Sequence, residues 1–307
     1  MRAFIYTEYG APDVLRLADV PKPIPQANEL LVKVHASSVS AGSIWIRKGI
    51  FPGSAFFTFF IRLMFGITKP RNPILGYEFS GIVEEVGKDV KAWKKGDAIY
   101  GTTTGLKQGS YAEYVCIPEL NKQNVIAPKP HNVSFEEAAA LPVGVMTALH
   151  LLQKANIAKG QKVLIYGASG SVGTFAVQIA RAFGASVTGV CSTGNVDLVR
   201  SLGAENVLDY TTQDFTNCSE QFDVIFDAVG KLDTATRKRL LRQNGQFRST
   251  TSPTAEKREY LETLHTMIAE GKLQPAIDKV YPFEQLVEAH RYVDLGHKKG
   301  NVVIKHL

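Results

Sequence analysis

Cysteine is scarce in this chain: Cys116, Cys191 and Cys218 are the only three in 307 residues. So few and so far apart, they build neither a disulfide framework nor a structural zinc knuckle. Long apolar runs are missing too. The most apolar stretch, Phe56 to Phe65, contains Arg62 and is too short to cross a bilayer. It reads as a helix or loop packed over a substrate cleft, in preference to a membrane attachment. Dense basic runs are absent although the net charge is +6. Lys122, Lys129, Lys159, Lys162 and Arg181 are scattered, which argues against a nucleic-acid partner and for a mildly basic surface that favours an anionic cofactor. Met1 to Tyr6 looks like a strand and lacks a signal-peptide layout, so cytoplasm is the default location.

What is present is a chain with 45% hydrophobic and 21% charged residues, long enough for two separately cored domains. Its organising stretch runs from Lys162 to Gly173. Val163 to Tyr166 reads as a buried parallel strand, a Gly-rich turn follows, and Thr174 to Arg181 carries apolar residues at helical spacing. Strand, turn and helix in that order form the first unit of a dinucleotide-binding fold. Missing Cβ atoms admit a pyrophosphate, and a helix N-terminus offers it N–H groups and a partial positive charge. The fingerprint stands here as Ala168-Ser169-Gly170-Ser171-Val172-Gly173, with alanine where the first glycine is usual.

Before this stretch the chain is rich in β signals. Leu30 to Ala36 alternates in period two, and Ser80–Gly87 and Asp97–Gly101 are short strands between Gly turns. His35 lies within the alternating run and reads as a packed or surface histidine. Around Asn132 the texture changes. Ser134 with Glu137 predicts a capping box at a helix start. Beyond it, strands at Lys162–Tyr166, Ser186–Cys191, Asn206–Leu208, Asp223–Phe226 and Gln246–Thr250 alternate with helices at Ser171–Phe183, Asp197–Leu202 and Asp233–Arg242. Such alternation predicts an α/β fold with a covered parallel sheet. A helix at Phe283–Val293 and a strand at Asn301–Ile304 close the chain.

Several blocks together resemble the medium-chain dehydrogenase/reductase superfamily. Pro73-Ile74-Leu75-Gly76-Tyr77-Glu78-Phe79-Ser80-Gly81 looks like its Gly-His-Glu-x-x-Gly region. Gly96–Gly101, Gly109–Tyr114, Ala138–Pro142, Ala168–Gly173 and Phe226–Gly230 look like further landmarks, in the right order along nearly the whole chain. The resemblance is nearest to the zinc-independent quinone oxidoreductase-like branch, which includes enone reductases and reticulon-interacting-protein-type NAD(P)-dependent oxidoreductases. It implies a GroES-like, mainly β catalytic domain over residues 1–127, completed by 281–307. A Rossmann domain is implied over 128–280. The zinc-dependent members place Cys near Ser37–Ser43 and His at Tyr77, and hydroxyls and a phenol are poor zinc ligands. Four clustered cysteines are also missing between Gly87 and Gly96. No zinc is therefore expected, and hydride transfer to a quinone or enone is favoured over alcohol oxidation. After Thr250 the family usually has a longer segment with a last sheet strand that often pairs two subunits. Here Thr251–Thr254 runs almost straight into a helix at Glu256–Ala269, so a homodimer is left open.

Within this resemblance Ser192 stands where an NAD-binding fold places a carboxylate, and a hydroxyl there suits a 2′-phosphate. Tyr210 resembles a tyrosine packed near that phosphate. Asn195 falls near the place of an accompanying lysine, and Asp197 is a nearby acid. NADPH is the expected cofactor, with NADH as the other choice. Val229 and Gly230 would line the nicotinamide pocket, and Asn301 would touch the cofactor from the returning C-terminus. Family position points to Tyr77, Ser40, Ser43 and Thr147 as the catalytic set, with Tyr77 bonding the carbonyl oxygen or filling the vacated metal space. A non-catalytic NADPH sensor or scaffold of the same fold is the rival reading, and an alcohol dehydrogenase a weaker one. A short-chain dehydrogenase is rejected, because no tyrosine has lysine four residues on.

Overall fold

The strand Glu29–Ser38 carries three partners, and its composition explains why: Leu30, Val32, Val34 and Ala36 are all buried, and so is Leu31 between them. It sits at the centre of the first compact unit in a computed structural model that describes residues 1–51, 54–103, 105, 107–120 and 124–307. Lys122 lies outside those residues.

In chain order the elements begin with β1 (Arg2–Ile5), β2 (Arg16–Asp19), β3 (Glu29–Ser38), α1 (Ala41–Lys48) and α2 (Ala55–Phe65). Then come β4 (Glu78–Val86), β5 (Ala98–Thr102), β6 (Tyr114–Pro118), β7 (Ile126–Pro128), α3 (Phe135–Ala139) and α4 (Pro142–Lys154). The alternating part follows as β8 (Lys162–Tyr166), α5 (Ser171–Ala182), β9 (Ser186–Cys191), α6 (Val196–Ser201), β10 (Asn206–Asp209), β11 (Phe222–Asp227), α7 (Thr234–Leu240), β12 (Leu241–Ser249) and α8 (Arg258–Ala269). Last are β13 (Ile277–Pro282), α9 (Leu286–Asp294) and β14 (Asn301–Lys305).

The first unit comprises Met1–Pro142 and Ile277–Leu307. Its main sheet has the order β13-β14-β3-β4-β5-β7, with β6 added antiparallel to β3. Leu30, Val32, Val34, Phe79, Val83 and Ile99 form one core on this sheet. A second core joins Phe4, Tyr6, Leu75 and Tyr111 to Phe283, Leu286 and Val302 of the returning segment. His35 stacks on Phe135 at 4.2 Å, a packed histidine whose pKa burial lowers. The Ser134–Glu137 capping box forms as the spacing predicts.

Val143–Ala276 make the second unit. Its five strands are all parallel in the order β10-β9-β8-β11-β12. Strand order reverses between β8 and β11, which places a ligand crevice at their carboxyl ends. Buried Phe175, Ala176, Val177, Ile179 and Ala180 give α5 its core-facing stripe. No strand forms among the described residues between β12 and α8, so β12 is the sheet edge.

The units divide at Pro142 and Ile277, whereas the sequence reading divides the chain at 127 and 281. Packing accounts for the difference. Ala139 and Ala140 at the end of α3 bury against Ala36 and Val303, which ties that helix to the β sheet. β13 lies parallel beside β14, so it belongs with the first unit as well. A further difference concerns α2: the segment is a helix, but none of its residues is buried. Among the described residues no helix is long and apolar enough to cross a membrane.

Candidate active site

The second unit shapes its Gly-rich turn by backbone geometry. Gly167 ends β8 with φ +79°, a conformation that disfavours a side chain, and a Cβ there would meet Val229 Cγ2 at 2.5 Å. Gly167 therefore makes the tight turn, one residue before the alanine assigned to that place in the sequence. Ala168 is buried and donates its N–H to Val190 O at 3.0 Å. Gly189 leaves room for it, since a Cβ at Gly189 would lie 3.1 Å from that of Ala168. Gly170 is the N-cap of α5, and Ser171, Val172 and Gly173 form the first turn. Gly173 comes so close to the turn that a Cβ would sit 2.0 Å from Gly167 O. First-turn N–H groups have no acceptor within a helix, so this end attracts an anion.

Three predicted side chains meet beside this turn. Asn195 Nδ2 donates to Ser169 Oγ at 3.0 Å and to Ser192 Oγ at 3.1 Å. Its Oδ1 is buried and finds no partner among the described residues. An orphaned acceptor beside an open Gly-rich turn fits a ribose hydroxyl, and the close-packed glycines fit a pyrophosphate. Tyr210 follows β10, donates its N–H to Cys191 O at 3.1 Å, and is half exposed. The neighbouring carboxylate of Asp209 is held by the hydroxyls of Thr193 and Thr211, which draw its pKa down. Across the strand-order reversal, the carboxylate of Asp227 accepts the N–H groups of Val229, Gly230 and Leu232 at 2.9, 2.7 and 2.9 Å. That clamp shapes the loop at the end of β11 and sets Val229 against Gly167. Asp227 was visible in the Phe226–Gly230 block, and its burial beneath three N–H groups is what marks it as a positioning residue. Thr147, half-buried on α4, belongs to this unit.

The first unit holds the remaining predicted residues. Ser40 is the N-cap of α1: its Oγ accepts the Ser43 N–H at 3.3 Å and lies 3.3 Å from Ser43 Oγ. Ser43 itself is buried and bonds the Tyr111 phenol. Both hydroxyls are thus committed to local structure. Tyr77 is half-buried just before β4, with its carbonyl accepting the Thr103 N–H at 2.7 Å. Glu78 is buried beside it and accepts the Ser38 hydroxyl. Burial lowers the Lys298 ammonium to about 8, while the charges of Glu78 and Asp278 oppose the shift. Lys298 Nζ donates to Gly300 O at 2.6 Å. Sequence reasoning did not single out Glu78 or Lys298. They lie 220 positions apart, and only the return of β14 to β3 brings their surroundings together. Asn301 opens β14 and is buried in this unit.

Comparison with known proteins agrees with this architecture. Residues 26–130 match the alcohol dehydrogenase GroES-like domain, and residues 202–259 and 234–304 match the zinc-binding dehydrogenase family. A 2-methylene-furan-3-one reductase of Solanum lycopersicum is 34% identical over 99% of this chain and 79% of its own length. The mitochondrial NAD(P)H oxidoreductase RTN4IP1 of Homo sapiens is 32% identical over 99% of this chain and 89% of its own length. The structure of a quinone oxidoreductase from Coxiella burnetii superposes with a TM-score of 0.84 at 29% identity, covering 100% of this chain and 99% of the other. With its parallel nucleotide-type sheet, its GroES-like β unit and relatives of this similarity along nearly all its length, the chain belongs to the medium-chain dehydrogenase/reductase superfamily.

Proposed function

We propose that this protein is an NADPH-dependent reductase of quinones or α,β-unsaturated carbonyls that works without zinc. The observation carrying the reading is the convergence of Ser169, Ser192 and Asn195 on the Gly167 turn. Two of the three relatives named above act on a quinone in one case and an enone in the other, both electron-poor π systems. Residues 167–173 would hold the pyrophosphate, Asn195 and Ser192 the adenosine ribose, and Val229 and Gly230 the nicotinamide. Ser192 offers a hydroxyl where a carboxylate would repel a 2′-phosphate. When bound, the nicotinamide supplies a hydride.

The chain's own work on the acceptor is to balance charge. Hydride addition leaves a negative oxygen, which Tyr77 stabilises by a hydrogen bond and then neutralises with its phenolic proton. Zinc does not fit the donors at this place: Ser40 caps a helix, Ser43 bonds a phenol, and Tyr77 stands where imidazole would be needed. Among the described residues no three His, Cys, Asp or Glu side chains gather as a metal site.

NADPH oxidation followed by absorbance against a panel of quinones and 2-alkenals, with NADH alongside, tests the reading. Acceptor-dependent oxidation favouring NADPH is expected. Tyr77→Phe is expected to lower kcat about 10²-fold with little change in NADPH affinity. Cofactor binding without reduction of any acceptor would overturn the enzyme and favour a sensor or scaffold. Intact turnover in Tyr77→Phe would assign the proton to water.

A further inference from the structure

The helix α2 wears its polarity inside out. Thr58 and Arg62 are four residues apart and share one face. That face is spent on the protein: Thr58 Oγ1 donates to Ser54 O at 2.9 Å and accepts the Phe51 N–H at 3.0 Å. Arg62 Nε donates to Gly49 O at 2.9 Å, and its guanidinium lies 4.0 Å from the centre of the Tyr9 ring. The opposite side is left to solvent. Phe56, Phe59, Phe60, Leu63 and Met64 are 66%, 62%, 42%, 43% and 48% exposed, and Ile67 just beyond the helix is 65% exposed. Isolated surface hydrophobes are ordinary, but a whole helical face of aromatic and aliphatic side chains is a docking surface.

Charge decides the occupant. From Leu30 to Tyr77 the sequence holds no Asp or Glu and six Lys or Arg. Of these, Lys69 and Arg71 are exposed immediately after α2. Aromatic side chains outward and two exposed cations at the flank, in a stretch of sequence without carboxylates, match the interface of an anionic bilayer. The helix has eleven residues, too few to span. We propose that α2 lies in the plane of an anionic lipid surface, with Phe56, Phe60 and Leu63 in the acyl boundary and Lys69 and Arg71 on the headgroups. This is independent of the redox reading and rests on the helix and the two cations that follow it.

Flotation of the full chain with phosphatidylcholine vesicles, with and without phosphatidylserine, is the test. The protein is expected to float with the phosphatidylserine vesicles. The triple variant Phe56→Ser, Phe60→Ser, Leu63→Ser is expected to partition at least about ten-fold less, with unchanged thermal midpoint. The pair Lys69→Glu, Arg71→Glu is expected to lose binding to phosphatidylserine vesicles. Failure to float, or equal binding to phosphatidylcholine alone, overturns the proposal. So does a dimer in sedimentation that the triple variant abolishes, because a second copy would then own the face.

Discussion

The two units handle polar groups in opposite ways. At the end of β8, the fold leaves the buried Oδ1 of Asn195 without a partner among the described residues, beside the first turn of α5. Near Tyr77, the first unit spends its hydroxyls on itself: Ser40 caps α1, Ser43 bonds Tyr111, and Ser38 bonds Glu78. A site built from backbone conformation is dictated by neighbours in sequence. A site built from side chains on separate strands is dictated by packing. The same contrast divides α2 from α5, because α5 buries its apolar stripe in a core while α2 turns its own outward.

The comparison breaks most sharply at Gly173. A Cβ there would lie 2.0 Å from a carbonyl oxygen, so Gly173→Ala forces α5 off the turn. Overpacking costs about 1–3 kcal/mol, and NADPH affinity measured by fluorescence quenching is expected to fall about 10²-fold. If affinity survives, backbone approach is not what holds the nucleotide. In the first unit the counterpart is Arg47, fully buried between Asp294 at 2.6 Å, His290 Nδ1 at 3.2 Å and Gly10 O at 3.2 Å. Arg47→Met leaves the Asp294 carboxylate to Lys48 alone and takes the partner from His290 Nδ1, and is expected to cost about 3 kcal/mol in urea unfolding. NADPH affinity should be spared at temperatures where the variant is folded.

A pH series sharpens the contrast next. Burial lowers both His290 and His306 to about 3, with Arg47 adding to the effect on His290. Folded-state values below the unfolded 6.5 mean that the unfolded chain binds protons first. Their contribution is present above pH 6.5 and is lost as pH falls towards 3. Between pH 7.5 and 5.5 the loss is about 1 kcal/mol per histidine, read from urea midpoints. A flat profile would show these rings accept protons in the folded state. The smallest effect concerns cofactor choice. Ser192→Asp places a carboxylate beside Asn195 and is expected to shift the NADPH-to-NADH affinity ratio about ten-fold towards NADH, by parallel titrations. An unchanged ratio would remove Ser192 from the 2′ position.

Short-range physics made much of this protein legible in its sequence. The strands at 162–166 and 186–191 lie where the sequence predicts them, because a buried strand needs apolar runs and a turn needs residues that tolerate its dihedrals. The capping box at Ser134 is equally local, and so is the Gly-rich turn, although Gly167 and not Ala168 bends the chain. What only the tertiary structure decided is what distant segments do to one another. Arg47 looks like any surface cation until α9 closes over it with His290 and Asp294. Phe135 to Ala139 joins the β unit because Ala139 and Phe135 pack against Ala36 and Val303. The apolar run from Phe56 to Phe65 reads from its composition as a helix or loop packed over a substrate cleft. Its outward direction is set by where Gly49 and Tyr9 draw Arg62, and a side chain's hydropathy carries no record of that partner.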